Sequence, residues 1–282
     1  MPHIKANIPK NSLPKMTHGN SSCKNDISVA VVPLDISFGD TNANLRAATE
    51  SVKRLDGTHD IIVLPELFST GYANNPGAMH ELAETDNGIT MDAVREMAAC
   101  SKAAVSGSMA ASGSNGMCYN RAFFVEPDGH ATFYDKRHLF SLSREGEIFG
   151  KGTKTPPVIR FRGWNVALSV CYDLRFPAWM RNRAYAYDIM LLPANWPMAR
   201  VYALEHLLIA RAIENQAPIV CSNRGGRDNY GIYDGCSFAF DHMGMPAFQD
   251  SGTTATFSLE SIRAARKRFP AANDADNFDF GL

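Results

Sequence analysis

From residue 27 onward, short β-branched runs alternate with longer stretches in which apolar residues recur every three or four positions. ISVAVVPLDI (27–36), DIIVLPE (60–66), AAVSGSMA (103–110) and DIMLLPANW (188–196) read as strands, most of them buried on both faces. MCYNRAFFVEP (117–127) and HATFYDK (130–136) read as a hairpin joined at Asp128-Gly129. PVIRFRGWNVALSVCYD reads as two strands about a turn at Gly163, and APIVCSNRGG, GIYDGCSFAFD and TATFSLE complete the strands. TNANLRAATESVKRL reads as an amphipathic helix capped by Asp40-Thr41 and closed by Gly57. GITMDAVREMAACSKA places Met91, Val94, Met97 and Ala98 on one helical face. VYALEHLLIARAIENQA does the same with Leu204, Leu207, Leu208 and Ala212. SIRAARKRF is a last short helix, and Pro177 suits the first turn of another. Buried strands between amphipathic helices predict an α/β layer architecture, and the hairpins predict mixed pairing.

The first 26 residues break this pattern. They are polar, with Lys, Pro and Asn scattered through them and no apolar core of a signal peptide, so they read as an N-terminal extension, poorly ordered. No Pro/Gly/Ser-rich linker divides the remainder, so 27–282 reads as a single domain. No run of about 18 apolar residues occurs, so the pattern holds no membrane-spanning helix, and a cytoplasmic protein is expected.

Charge adds little. Lys+Arg 28 against Asp+Glu 29 gives a net charge of −1, which supplies no electrostatic reason for a nucleic-acid or anionic-membrane partner. The six cysteines (Cys23, Cys100, Cys118, Cys171, Cys221 and Cys236) form no CxxC pair and no zinc-like spacing with histidine. A chain of 282 residues needs no disulfide framework, so free thiols in a reducing compartment are expected. A thiol redox protein lacks its usual CxxC here.

Three reactive side chains stand where strands end: Glu66 after IIVLP, Lys136 after TFYD and Cys171 after VALSV. Ligands of α/β folds bind beyond strand ends. Taken singly, a strand-end Glu or Lys is usually just solvated, and a Cys after an apolar run is usually core. Their surroundings shift the balance. LPELFSTGY, YDKRHLF and CYDLRFP resemble, in order, the three catalytic boxes of the nitrilase superfamily of carbon–nitrogen hydrolases. LLPANWPMAR, LLIARAIENQAPIVCSNRGG and FPAANDADNF fit it too, so the resemblance runs from about residue 27 to the end.

That resemblance implies a four-layer αββα sandwich pairing into an eight-layer homodimer. It implies Cys171 as nucleophile, Glu66 as proton shuttle, and Lys136 with the Tyr172 backbone N–H as oxyanion donors, with no metal or organic cofactor. His138 then reads as structural. A second glutamate often lies between the lysine and the cysteine; Glu145 and Glu147 in SREGEIFGKG are the candidates, and Glu147 fits the family's local pattern better. YDKRHLF, CYDLRFP and PANWP look closest to the ω-amidase branch, whose substrates are small amides with a distant carboxylate. A guanidinium suits that carboxylate. Arg200 is the preferred partner over Arg175, and Phe68, Tyr72 and Trp196 are expected to line the pocket. A nitrilase, an N-carbamoyl amino acid amidohydrolase or a deaminated-glutathione amidase would carry the same triad, as specificity lives in pocket loops. A non-catalytic binding protein on this fold would be expected to have lost a triad residue, and none is lost.

Overall fold

The computed structural model describes residues 23–55, 58–72, 75–249, 252–276 and 278–279. The expected extension falls outside them as far as residue 22, as does the expected helix end at Gly57. Lys24 already belongs to the fold: its N–H donates to the Arg162 carbonyl at 2.9 Å and its ammonium meets Asp60 at 2.6 Å.

The strands fall into two sheets. β1 (Asp26–Val31), β2 (Ile61–Val63), β3 (Ala104–Ser112), β4 (Cys118–Val125) and β5 (Ala131–Asp135) belong to the first. The second holds β6 (Val158–Phe161), β7 (Trp164–Leu168), β8 (Ile189–Ala194) and β9 (Ile219–Asn223). After it come a separate hairpin, β10 (Gly225–Asp228) and β11 (Gly231–Asp234), and then the edge strand β12 (Phe238–Phe240). β13 (Thr254–Ser258) returns to pair antiparallel with β1. The sheet orders are β13-β1-β2-β3-β4-β5 and β12-β9-β8-β7-β6. Each has a parallel centre, β1-β2-β3 in one and β7-β8-β9 in the other, with antiparallel edges.

Period-two alternation decides which residues meet. Ile27, Val29, Val31, Ile61 and Val63 turn inward and pack with Val166, Leu168, Ile189, Leu191 and Val220 of the second sheet. Ile62, Leu64, Val105, Phe123 and Val125 turn outward, under α1 (Thr41–Lys53) and α3 (Ile89–Ser101). Those helices bury Leu45, Ala48 and Val52, and Met91, Val94 and Met97. Each buried Leu, Val or Met among them contributes roughly 1.5–3 kcal/mol relative to exposure. α5 (Val201–Asn215) covers the second sheet through Leu204, Leu208 and Ala212. The final helix α6 (Leu259–Arg268) is fixed by the buried Arg266, which donates to Asp188, Tyr187 and Gln216. The layers are therefore αββα, in agreement with the expectation from sequence.

Two short elements were not visible as helices. α2 (Pro76–Leu82) starts at Pro76 with Asn75 as N-cap, and α4 (Glu145–Ile148) is a single turn. Pro177, in contrast, opens no helix; turns follow it and a 3-10 turn over Cys171–Arg175 precedes it. Among the described residues no helix is long and apolar enough to cross a membrane.

Strand direction sets where the polar side chains at strand ends emerge. β2 and β3 are parallel, and β5, two antiparallel steps from β3, runs with them. The Glu66 N–H donates to the Ala194 carbonyl at 3.3 Å, bringing the end of β2 against the end of β8. The carboxyl ends of both sheets therefore share one crevice.

Candidate active site

Glu66, Lys136 and Cys171 are the residues that leave those strand ends. Glu66 is fully buried; Leu67, next to it, has φ +48° and donates its N–H to Ser108 Oγ at 2.9 Å. Lys136 extends β5, its N–H donating to the Asn120 carbonyl at 2.9 Å. Cys171 takes the left-handed conformation, φ +45°, at the first residue of its 3-10 turn. That conformation costs a non-glycine residue roughly 1–3 kcal/mol and persists only where neighbours enforce it. Asp173 is the enforcer. Its buried carboxylate accepts from the Val170 N–H, the Tyr134 hydroxyl, and the N–H and Nδ1 of His138. His138 also stacks on Phe176 at 3.7 Å, so it braces the elbow that carries the thiol.

Lys136 Nζ lies 2.8 Å from Glu66 Oε1 and 2.7 Å from Glu145 Oε1. The Tyr72 hydroxyl lies 3.0 Å from Glu66 Oε1 and 2.8 Å from Glu145 Oε1, and Asn120 Nδ2 donates to Glu66 Oε1 at 2.7 Å. Burial alone pulls the Lys136 ammonium toward neutrality, but Glu145 and then Glu66 override it and hold it well above the ordinary lysine value. Burial, reinforced by the charges on Glu145 and Glu66, pushes the Tyr72 phenol far up, which keeps it a hydrogen-bond donor. Burial also raises the Cys171 thiol well above its usual value, and Glu66 adds to this, while Lys136 and the Asn195 backbone N–H pull the other way. The resting sulfur is thus a neutral thiol beside a carboxylate able to receive its proton.

A cavity with about 550 Å³ of empty space, mouth included, opens onto this cluster. Its walls bring together eight of the residues singled out from sequence: Glu66, Tyr72, Lys136, Cys171, Tyr172, Arg175, Trp196 and Arg200. The Arg175 guanidinium sits 4.9 Å from the Trp196 ring centroid and that of Arg200 4.8 Å from Phe140. Neither has a carboxylate partner among the described residues, so both cations are available to an anion in the cavity.

Two expectations are corrected. Glu147, favoured as the second glutamate, is exposed and pairs with Arg144 at 2.5 Å; Glu145 is the fully buried one that meets Lys136. Residues two apart on a helical turn point about 200° from each other, so only one of the pair can face inward. Phe68 does not line the cavity. It is buried under the first sheet's helices, edge-on to Phe123 with centroids 5.9 Å apart. Asn120, Phe140, Asn195, Tyr230 and Tyr233 were missed; Tyr230 and Tyr233 come from the β10–β11 hairpin, for which only the adjacent NRGG motif gave a signal.

A thiol, a carboxylate and a lysine ammonium at one cavity floor supply a nucleophile, a proton acceptor and an anion stabiliser. Among the described residues no group of three or more His, Cys, Asp or Glu is arranged to hold a metal ion.

A family model described as carbon–nitrogen hydrolase matches residues 28–267. The chain is 42% identical over 248 residues to omega-amidase YafV of Yersinia enterocolitica, spanning 85% of this chain and 93% of that one. It is 28% identical over 253 residues to the 2-oxoglutaramate amidase of Bacillus subtilis, spanning 88% and 96%. Among solved structures, XC1258 from Xanthomonas campestris, a CN-hydrolase superfamily protein with an arsenic adduct in its active site, superposes with a TM-score of 0.83. That pair is 34% identical, over 91% of this chain and 99% of the other.

The two glutamates separate cleanly in a test. Glu145→Gln is expected to lower kcat/KM for amide hydrolysis roughly 100-fold or more, the scale of a lost electrostatic contact in a buried site. Glu147→Gln is expected to remain within about threefold of the parent, as exposed pairs contribute little. Comparable losses in both variants would reverse the assignment.

Proposed function

The chain belongs to the carbon–nitrogen hydrolase family, and we propose that it is an ω-amidase-like thiol amidohydrolase acting on small amides that carry a carboxylate at the far end, such as 2-oxoglutaramate. The observation that carries this reading is the pair of guanidinium groups, Arg175 and Arg200, which have no carboxylate partner among the described residues and line the cavity whose floor holds Cys171. The likeness to omega-amidase YafV and to 2-oxoglutaramate amidase supports it.

In this mechanism Glu66 accepts the thiol proton as Cys171 Sγ attacks the amide carbon. The Lys136 ammonium and the Tyr172 backbone N–H stabilise the oxyanion. The tetrahedral intermediate collapses, the C–N bond breaks, and Glu66 returns the proton to the departing ammonia. The resulting thioester is cleaved by a water that Glu66 deprotonates, releasing the acid and restoring the thiol. Glu145 keeps Lys136 charged throughout. Arg200 takes the substrate carboxylate, with Arg175 beside it, while Tyr72 and Trp196 wall the cavity.

Residues 27–282 form one hydrolase domain in this reading, supported by the core shared between the two sheets and by the extent of the family match. A homodimer is supported by exposed apolar residues on the outer face of α5 and the turn beside it: Tyr202 (75% exposed), Ile213 (51%), Met243 (66%) and Met245 (58%). Unpaired cysteines suit a reducing compartment such as the cytoplasm, which cell fractionation tests.

Ammonia release from 2-oxoglutaramate and from an uncharged amide of the same length tests the substrate assignment. The parent is expected to prefer the anion. Arg200→Ala is expected to raise KM for the anion roughly tenfold to hundredfold, the worth of a charged hydrogen-bonded contact, and to spare the uncharged amide. Equal turnover of both substrates by the parent would defeat the clamp, and parent-rate ammonia release by Cys171→Ala would defeat the mechanism. Sedimentation should give twice the chain mass, falling to one with Ile213→Asp; a monomeric parent would remove the dimer.

A further inference from the structure

Glu66 is held asymmetrically. Lys136 Nζ, Asn120 Nδ2 and the Tyr72 hydroxyl all converge on Oε1, at 2.8, 2.7 and 3.0 Å. Oε2 is equally buried and has no hydrogen-bond partner among the described residues. Asn120 is the member of this group that neither the family motifs nor the proposed chemistry uses. It lies in β4, fully buried, and its two ends serve different residues. Its backbone carbonyl accepts the Lys136 N–H at 2.9 Å, while its amide nitrogen donates to Glu66 and lies 3.3 Å from the Tyr72 hydroxyl and 3.4 Å from Glu145 Oε1. Its own Oδ1 has no hydrogen-bond partner among the described residues. A buried carboxamide that leaves its carbonyl unsatisfied is costly to keep, so it is the NH2 group that has a use here.

We propose that Asn120 is a positioning residue: its amide N–H pins Glu66 by Oε1 and so reserves Oε2 for proton exchange with the Cys171 thiol. The inference rests on the reading of Glu66 and Cys171 as the reacting pair. A carboxylate free to swing between its two oxygens would present the right lone pair only part of the time, whereas a pinned one presents it always. Lys136 supplies charge but is shared with Glu145, and Tyr72 divides its single proton between the same two carboxylates. Asn120 makes its shortest contact with Glu66.

Alkylation of Cys171 by iodoacetate tests this without an amide substrate, against a Cys171→Ala background for the other thiols. A limb that begins at lower pH in Glu66→Gln, where the charge opposing the thiolate is lost, ties it to this pair; an unchanged limb there would sink the reacting pair itself. The groups facing Glu66 are Lys136, Glu145, Tyr72, Cys171 and, from β9, Cys221. Asn120→Asp keeps the shape but sets a third acid against Glu66 and Glu145 with Lys136 as the one cation in contact. The added negative charge further opposes the Cys171 thiolate, so the alkylation rate should rise about one pH unit or more later than in the parent. Asn120→Ser removes the reach and leaves the charge unchanged. It should slow alkylation at neutral pH roughly tenfold and lower kcat for amide hydrolysis similarly, with KM within about threefold. Parent-like alkylation and kcat in Asn120→Ser would overturn the proposal, whether or not Asn120→Asp folds. So would a folded Asn120→Asp with an unmoved limb, including one that only melts earlier.

Discussion

A lysine ammonium enclosed with two carboxylates is the arrangement on which the rest of the site depends. Lys136 is 1% exposed, and Glu66 and Glu145 are fully buried. Taking each such ion out of water costs several kcal/mol, and removing one partner from a buried pair costs roughly 3–5 kcal/mol. The contacts at 2.8 and 2.7 Å offset that cost only as long as all three groups stay in place. Stability and chemistry are therefore coupled. The fold is obliged to keep a buried carboxylate and ammonium beside Cys171 at the inner end of the cavity. The same enclosure keeps the sulfur protonated at rest, since burial and the Glu66 charge both disfavour a thiolate. In the proposed mechanism proton movement waits for the encounter with substrate, when the oxyanion forms next to Lys136 and Glu66 receives the thiol proton.

Two sheets are needed for this. Glu66 and Lys136 leave the first sheet, while Cys171 leaves the second, and the Glu66–Ala194 backbone contact registers one edge of the crevice against the other. The strained Cys171 backbone then turns the thiol out of the second sheet, and Asp173 holds that turn through four hydrogen bonds. His138 and Phe176 pack behind it. The inter-sheet core, built from Ile27, Val29, Ile61, Val166 and Leu191 among others, is what fixes the distance between the two halves of the site.

Much of this was legible in the sequence, for identifiable reasons. Apolar runs, β-branched in β1 and β2 and Leu-rich in β8, mark these strands because a central strand is largely buried on both faces. Glu66, Lys136 and Cys171 stood out because a polar residue closing an apolar run is unusual and because their neighbours resemble known boxes. Asn120 was hidden for the opposite reason. Inside CYNRAFFV it is one more strand position, and only the fold reveals that its face of β4 looks into a polar pocket. Glu145 and Glu147 share composition and spacing, so their difference lies wholly in the rotation of a four-residue helix. Phe68 misled because Leu67 adopts positive φ, which turns the following side chain into the layer beneath α1 and α3.

The most direct test is a pH titration of the Cys171 thiol by its thiolate absorbance, corrected with Cys171→Ser, in the parent and in Glu66→Gln. The parent thiol should remain protonated through neutral pH. In Glu66→Gln a negative charge that opposes the thiolate is lost while Lys136 stays, so ionisation should begin at lower pH than in the parent. A parent thiolate already formed at neutral pH, or a Glu66→Gln titration unmoved or shifted upward, would contradict the account.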